Sequence, residues 1–203
     1  MLVAVEVREK FVAFDATICG VAELAGYAGA PVTHVLSILD PDWPEPEAFA
    51  GFSAHSRLDL RFHDIIDEQP GMRLPQLEDV TGLLGFARAL AATPDAHLLV
   101  HCFKGLSRSA AALTLILAQA RPDRSAADAL AEVVRIRPRA WPNLRMIELG
   151  DRLLGLDGRL VLAVADWYRQ RLAQRPEIAP AMIEMGRQRE LDLIGADANG
   201  VVR

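Results

Sequence analysis

The 203-residue sequence predicts an α/β domain in which a central, mostly parallel sheet is flanked by helices. Apolar, β-branched runs at 32–39 and 98–100 are typical of buried strands. An amphipathic helical stripe at 74–92 lies between them, and an alanine- and leucine-rich run at 109–120 follows the second. The order strand, helix, strand, loop, helix indicates parallel strands, whose ligands bind at their carboxyl ends.

The composition excludes several classes of protein. It is 51% hydrophobic and 24% charged, which is ordinary for a globular chain, and the net charge of −5 argues against a nucleic-acid partner. Charges come too early in the sequence for a secretory signal, and no apolar run reaches the roughly 20 residues of a membrane span. Only Cys19 and Cys102 are present, so a disulfide framework is excluded and a reactive thiol fits a reducing compartment. We therefore expect a cytoplasmic protein without a membrane partner.

The N-terminal elements are predicted in chain order. Residues 2–7 and 11–14 each have the pattern of a short strand, and residues 17–27 favour a helix that ends at a glycine. The run at 32–39 predicts a central strand covered on both faces. Within it, His34 is interpreted as a histidine of the core or sheet and not as a ligand.

The next segment places two carboxylates after a strand. Residues 40–46 are acidic and rich in proline, as in a surface loop. Residues 58–62 alternate apolar and charged side chains, which predicts a half-buried strand. Asp64 and Asp67 follow this strand directly, and the helix at 74–92 comes next. Both carboxylates are therefore expected at the carboxyl edge of the sheet.

The stretch at 101–109 reads His-Cys-Phe-Lys-Gly-Leu-Ser-Arg-Ser and joins the second buried strand to a helix. A strand-to-helix loop points several backbone N–H groups at one spot, where the helix dipole adds positive character. Arg108 can bind two phosphate oxygens with its planar fork, and Gly105 permits a positive φ or a close backbone approach. The sequence therefore predicts a site for a tetrahedral dianion.

A thiol lies over the same spot, because Cys102 begins the loop. We expect the helix dipole and Arg108 to favour its thiolate form. Ser109 has two candidate roles, capping the helix or donating a hydrogen bond to the sulfur.

The remaining chain predicts four helices, at 126–135, 143–154, 159–171 and 179–194, with Ser125 and Asn143 as caps of the first two. Arg135, Arg137 and Arg139 form a basic cluster that is interpreted as a solvated face rather than as a substrate contact. We divide the chain into residues 1–175, a catalytic domain, and residues 176–203, a C-terminal helix and tail. The apolar stripe at 179–194 leaves open whether this helix docks on the domain or on a second copy of the chain, as in a homodimer.

The string His-Cys, five residues, Arg-Ser, with glycine third after the cysteine, resembles the signature loop of the cysteine-based protein tyrosine phosphatases. Its ending Gly-Leu-Ser-Arg-Ser is most similar to that of the dual-specificity branch and its small bacterial-type relatives. The resemblance implies that Cys102 is a nucleophile and that His101 orients it through a hydrogen bond. It also implies that Ser109 helps the sulfur to leave. We expect no metal or cofactor, because the sequence has no His, Asp and Cys cluster at ligand spacing. The groups that bind the phosphoryl oxygens would be the Arg108 side chain and the backbone of Phe103, Lys104, Gly105, Leu106 and Ser107.

The resemblance also implies a general acid, an aspartate after the strand that precedes the signature strand's helix. Asp64 occupies that position 38 residues before Cys102, a longer spacing than is usual in compact members, and Asp67 is the alternative. Residues 40–46 contain Asp-Trp-Pro, in which the aspartate comes first and not last as in the Trp-Pro-Asp loop of the larger branch. We interpret them as a plain surface loop.

The expected function is hydrolysis of phosphotyrosine, and also of phosphoserine or phosphothreonine, in proteins through a phosphocysteine intermediate. Lys104 leaves open a small phosphomonoester substrate, such as an inositol phosphate. A second alternative is a phosphoprotein-binding pseudophosphatase without turnover. Cys19 is interpreted as a small buried residue.

Overall fold

The computed structural model describes residues 10–202. Its four strands are β1 (Asp15–Gly20), β2 (His34–Leu39), β3 (Ser56–Arg61) and β4 (His97–Cys102). They form a sheet in the order β1-β4-β2-β3, and all three pairings are parallel. All six residues of the inner strand β2 are buried. The α/β class with a parallel sheet, predicted from the sequence, is confirmed.

Helices cover the sheet unequally. One face packs against α1 (Leu77–Arg88) and α2 (Arg108–Ala120). The larger core on this side also takes side chains from α3 (Ala126–Ile136), α4 (Leu144–Leu153), α5 (Arg159–Gln174), α6 (Ile178–Glu184) and α7 (Gln188–Asp192). The opposite face carries a smaller core with two short 3-10 helices, Val21–Tyr27 and Glu47–Gly51. Leu98 and Val100 of β4 belong to the larger core and Leu99 to the smaller, as the alternation of side chains along a strand requires.

The helix caps predicted from sequence are formed. The Ser125 hydroxyl accepts from the Asp128 N–H at 3.1 Å, and the Asn143 side chain accepts from the Met146 N–H at 3.1 Å. Each cap satisfies a backbone donor that has no partner within its own helix. The sequence therefore located the starts of α3 and α4 to the residue.

The N-terminal predictions were less accurate. Residues 2–7 lie outside the described part of the chain. Residues 11–14 are a bend, and the predicted helix at 17–27 is half wrong, since its first residues belong to β1 and only Val21–Tyr27 is helical. Pairing of Asp15–Gly20 with the whole length of β4 stabilises the strand, and no local pattern in the sequence shows that pairing.

The C-terminal segment, residues 176–202, docks on the rest of the chain. Its predicted helix at 179–194 is two short helices, because Gly186 between them adopts a positive φ of 68°. Ala179, Leu191 and Ile194 are buried in the larger core. Of the two alternatives for its apolar stripe, the structure shows docking on the domain. Among residues 10–202 no helix has both the length and the apolar character needed to cross a bilayer.

Candidate active site

The cysteine loop, Cys102–Arg108, begins at the carboxyl end of β4 and ends at the first residue of α2. Cys102 is buried, and its Sγ lies 3.3 Å from the hydroxyl of Ser109 in the first turn of α2. Ser107, and not Ser109, occupies the N-cap position. Of the two roles considered for Ser109, the structure therefore shows the contact with sulfur.

The carbonyl groups of the cysteine loop point outward. All five from Phe103 to Ser107 accept hydrogen bonds from neighbouring elements. The donors are the Val21 N–H to Phe103 (3.1 Å), Arg137 to Lys104 and Gly105 (3.1 and 3.2 Å), the Trp141 N–H to Leu106 (2.7 Å) and the N–H groups of Ala111 and Asn143 to Ser107 (2.9 and 3.4 Å). Within residues 10–202 none of the N–H groups of Phe103 to Ser107 has a protein acceptor. These donors remain available to an anion at the start of α2.

Two glycines allow the cysteine loop to pack closely against the end of β1. Gly105 has a φ of 67°, and a Cβ there would lie 2.5 Å from the Cys19 carbonyl carbon. A Cβ on Gly20 would lie 2.9 Å from the Phe103 carbonyl oxygen. The requirement for glycine at 105 was predicted, whereas Gly20 was missed because its role depends on a contact between distant segments.

Arg108 is buried beneath the loop. Its Nη1 donates to the Phe62 carbonyl at 2.5 Å and to the Asp40 carboxylate at 2.6 Å. The interpretation of residues 40–46 as a plain surface loop is therefore wrong. Asp40 follows β2, the inner strand beside β4, which brings it to the site, and the Trp43 ring packs edge-on against Phe103 at 4.8 Å.

Asp64 faces the loop from the segment after β3. Its carboxylate accepts from the Ser107 hydroxyl at 2.7 Å and from the Asn143 amide at 2.9 Å, and about a third of its side chain remains exposed (32%). Burial acts to raise the pKa of this carboxyl. The positive charges of Arg187 and Arg108 and the two hydrogen bonds outweigh burial and lower it.

The alternative carboxylate, Asp67, lies nearer the surface. It forms an ion pair with Arg189 at 2.8 Å and also lines the cleft. Unlike Asp64, it makes no hydrogen bond to the cysteine loop among the described contacts. The geometry therefore favours Asp64 as the carboxylate associated with the loop.

An arginine from the C-terminal segment also reaches the loop, and sequence reasoning missed it. Arg187 is buried, and its Nη1 donates to the Ser107 hydroxyl at 2.9 Å and lies 3.5 Å from the Asp64 carboxylate. The same guanidinium pairs with the fully buried Glu190. The spacing of Arg187 and Glu190 by three residues was the one available signal, and many surface helices carry it.

The His101 ring meets the backbone of Cys102, as the resemblance implied, but in a geometry too poor for a full hydrogen bond. The ring is completely buried 5.5 Å from the ring of Phe49, and neither nitrogen has a partner of hydrogen-bonding geometry among residues 10–202. Burial, together with Arg57, lowers the pKa of His101 to about 4, against opposing effects of Asp59 and the Cys102 backbone. His101 is therefore a neutral imidazole near pH 7.

Cys19 and Cys102 lie in adjacent strands but on opposite faces of the sheet. Cys19 pairs in register with His101 and belongs to the smaller core, whereas Cys102 belongs to the larger. Burial raises the pKa of the Cys19 thiol to about 12. Cys19 is thus the buried residue predicted from sequence.

A cleft of about 1000 Å³ opens over the cysteine loop. Cys102 and Arg108 line its floor, and Asp40 and Asp64 line its sides. Phe103 and Lys104 lie on its exposed rim. The C-terminal segment supplies an apolar wall of Ile178, Met182, Ile183 and Met185. A thiol, inward N–H donors, an arginine and a carboxylate therefore converge on one cavity, an arrangement suited to attack on a bound oxyanion.

Comparison with known proteins adds evidence at the level of the fold. No family model and no curated protein matches the sequence. Solved structures do match, with human DUSP28 giving a TM-score of 0.53 at 21% identity over 70% of this chain and 92% of that chain. PTPMT1 in complex with PI(5)P gives 0.52 at 16% identity over 70% and 91%.

A third solved structure, the human tyrosine phosphatase-like serine/threonine/tyrosine-interacting protein, gives a TM-score of 0.51 at 19% identity over 68% of this chain and 87% of that chain. These likenesses show that the chain has the fold of the dual-specificity phosphatases. The fold class expected from the signature loop is therefore confirmed by structures that resemble the chain in most of its length.

Proposed function

We propose that this protein hydrolyses phosphate monoesters through a phosphocysteine intermediate on Cys102. The observation that supports this most strongly is the orientation of the backbone in the cysteine loop, whose carbonyl groups point outward and whose N–H groups point inward. Five consecutive carbonyls are bound from outside, and the N–H groups are left for an anion beside a buried thiol and Arg108. Fixed donors of this kind stabilise the charge on the equatorial oxygens of a phosphoryl group in transfer.

In the first step the Cys102 thiolate attacks phosphorus and the ester oxygen leaves. Asp64, in its protonated form, gives that oxygen its proton. Arg108 binds two equatorial oxygens through the Nε and Nη2 edge of its guanidinium, since Nε has no partner among the described residues and Nη1 is held by Asp40 and the Phe62 carbonyl. The products are an alcohol or phenol and a phosphocysteine.

In the second step water attacks the phosphocysteine, and the Asp64 carboxylate takes a proton from the water. The phosphorus–sulfur bond breaks, and phosphate leaves. The hydroxyl of Ser109, 3.3 Å from the sulfur, stabilises the thiolate as it is regenerated.

Phosphotyrosine in proteins is the substrate class that we favour, with phosphoserine and phosphothreonine as weaker substrates. The exposed rings of Trp43 and Phe103 meet at the rim beside the loop, and Met182 and Met185 of the C-terminal segment also line the cleft. These side chains offer aromatic and thioether contacts to a phenyl ring.

A small phosphorylated molecule is the second candidate substrate. The structurally similar PTPMT1 was solved with PI(5)P, and Lys104 adds a positive charge at the rim of this cleft. Phosphotyrosine peptides and inositol phosphates, compared at equal concentration by phosphate release, separate the two. A clear preference for the inositol phosphates would replace the phosphotyrosine assignment.

The test of the activity itself is p-nitrophenyl phosphate hydrolysis with reductant and chelator, for the parent protein and for Cys102→Ser. We expect turnover that persists with chelator and is lost in the serine variant. A folded parent protein that binds vanadate but shows no turnover at any pH would instead indicate a phosphate-binding pseudophosphatase.

A further inference from the structure

Arg187 takes no part in either chemical step, yet its guanidinium lies at the site. Its side chain is 3% exposed, and one nitrogen, Nη1, faces both the Ser107 hydroxyl and the Asp64 carboxylate. Its other two nitrogens, Nε and Nη2, donate to Glu190 at 2.9 and 2.5 Å. The C-terminal segment therefore places a permanent positive charge between the cysteine loop and Asp64.

Glu190 fixes the orientation of that guanidinium. It is fully buried, and its carboxylate also accepts from the Trp141 indole N–H at 2.6 Å, the Leu144 N–H at 3.1 Å and the Tyr168 hydroxyl at 3.3 Å. A buried ion pair with all of its hydrogen bonds made holds one geometry. Arg187 is thus anchored to α4 and α5 and is not a mobile surface cation.

We propose that Arg187 is a positioning residue for Asp64, which it holds against Ser107 in the charged form. The proposal rests on the proposed function and deepens it, because it assigns the C-terminal segment a part in setting the pH range of the reaction. Asp64 must carry a proton to serve as general acid, so a group that favours its carboxylate restricts that step to lower pH.

The charged and titratable groups around Asp64 support the assignment. Arg187 contributes more than Arg108 to lowering the pKa of Asp64, with Asn143 and Ser107 adding hydrogen bonds, against burial. Tyr168 and Glu190 complete the cluster on the side of the C-terminal segment. Without Arg187, the other guanidinium that lowers the pKa of Asp64 is that of Arg108, which already pairs with Asp40.

The test is the pH dependence of kcat/KM in Arg187→Gln/Glu190→Gln. Both partners are replaced because removing Arg187 alone would leave Glu190 buried and unpaired, at a cost to folding. In the plot of kcat/KM against pH, the descending limb reports the loss of the Asp64 proton. We expect its midpoint to rise by about one pH unit in the double variant. Loss of Glu190 cannot produce this shift, since removing a neighbouring negative charge lowers the pKa of a carboxyl group.

Arg189→Gln is the matched control, because Arg189 lies two residues away and pairs with Asp67 instead. We expect its profile to match that of the parent protein. A shift in Arg189→Gln with none in the double variant would overturn the proposal and make Asp67 the acid. A folded double variant with an unchanged limb would leave Arg187 a purely structural role.

A second readout does not depend on turnover. The Asp64 carboxyl carbon can be titrated by ¹³C NMR in the Cys102→Ser background, with and without the double substitution. A midpoint that rises on loss of Arg187 supports the proposal, and an unchanged midpoint contradicts it. Failure of the proposed phosphatase activity would instead appear as absent turnover in the parent protein.

Discussion

Gly105 lies where the cysteine loop comes closest to the end of β1. Its positive φ excludes most side chains, and the space that a Cβ would occupy is already filled by the backbone of Cys19 and Gly20. Gly71 has a similar φ of 74° but open space around it. Alanine substitutions at Gly105 and Gly71 therefore separate the cost of backbone strain from the cost of a steric clash.

We predict that Gly105→Ala lowers the free energy of unfolding by about 3 kcal/mol and weakens vanadate binding, since both strain and clash apply. Gly71→Ala should cost about 1 to 2 kcal/mol, from strain alone, and leave vanadate binding intact. Urea unfolding and a vanadate titration measure the two effects. Equal losses in both variants would mean that the close contact with β1 is unimportant.

His101 gives the protein a pH-dependent stability. A histidine that is buried neutral with a pKa of about 4 binds its proton less readily in the folded than in the unfolded state, where the pKa is about 6.5. The unfolded state therefore gains protons first as the pH falls, and stability is lost between about pH 6.5 and 4. The full difference corresponds to about 3 kcal/mol.

We predict that His101→Leu removes most of this dependence, so that its free energy of unfolding changes less than that of the parent protein between pH 7 and pH 4.5. Urea unfolding at a series of pH values measures it. His55→Leu is the matched control, since it makes the same substitution in the loop before β3. Parallel curves for parent and His101→Leu would show that His101 titrates normally.

At the scale of elements, the cysteine loop keeps its shape because neighbouring segments bind its carbonyls. Arg137, in the segment after α3, contributes two of these bonds and pairs with Glu23 at 2.8 Å. The basic cluster was interpreted as a solvated face, which misses this contact. Arg135 in the same cluster does lie on a solvated face, as predicted, and it pairs with Glu132 on its own helix.

We predict that Arg137→Met lowers kcat/KM by about tenfold or more, because two loop carbonyls lose charge-assisted hydrogen bonds that hold the N–H groups inward. Arg135→Met should change it less than twofold. Steady-state kinetics with p-nitrophenyl phosphate give the comparison. A similar loss in both variants would indicate a general electrostatic effect.

The sequence predicted correctly those helices and strands whose signals lie within their own residues or directly beside them. β2 is nearly continuous in apolar character and β4 has an apolar centre, and α3 and α4 carry their caps in the adjoining residues. β1 was missed because its stability comes from pairing with a strand about 80 residues later. Tertiary pairing overrides a weak local preference in such a segment.

The candidate site divides in the same way. Cys102, Gly105, Arg108 and Ser109 were identified because they fall within one short stretch. Asp40 and Arg187 reach that stretch from 68 and 80 residues away, and no spacing rule connects them to it. The contact of the His101 ring with Phe49, a residue of the smaller core, likewise joins distant segments and has no signal in the local sequence.

At the scale of the whole molecule, the C-terminal segment belongs to the same core as the sheet and helices. Leu191 is fully buried there, whereas Leu193, two residues later, is 36% exposed. The sequence-based boundary at residue 175 separates the C-terminal segment from the larger core, although that segment contributes buried side chains to this core. Its unfolding should therefore be coupled to that of the rest of the chain.

We predict that Leu191→Ala lowers the free energy of unfolding by about 2 to 5 kcal/mol in a single transition. Leu193→Ala should lower it by less than about 1 kcal/mol. Thermal unfolding followed by circular dichroism and by tryptophan fluorescence measures both, since Trp141 packs against this segment through Glu190. A separate early transition in Leu191→Ala would show that the segment unfolds independently.

The measurement that tests the central claim most directly is the mass of the enzyme quenched in acid during turnover. The substrate is p-nitrophenyl phosphate, whose nitrophenolate can leave without a proton, so that Asp64→Asn mainly removes the base of the second step and prolongs the intermediate. We predict one added phosphoryl group, located on the peptide that contains Cys102 and absent from Cys102→Ser. Phosphate release by a protein whose Cys102 never carries phosphorus, or by Cys102→Ser, would contradict the account.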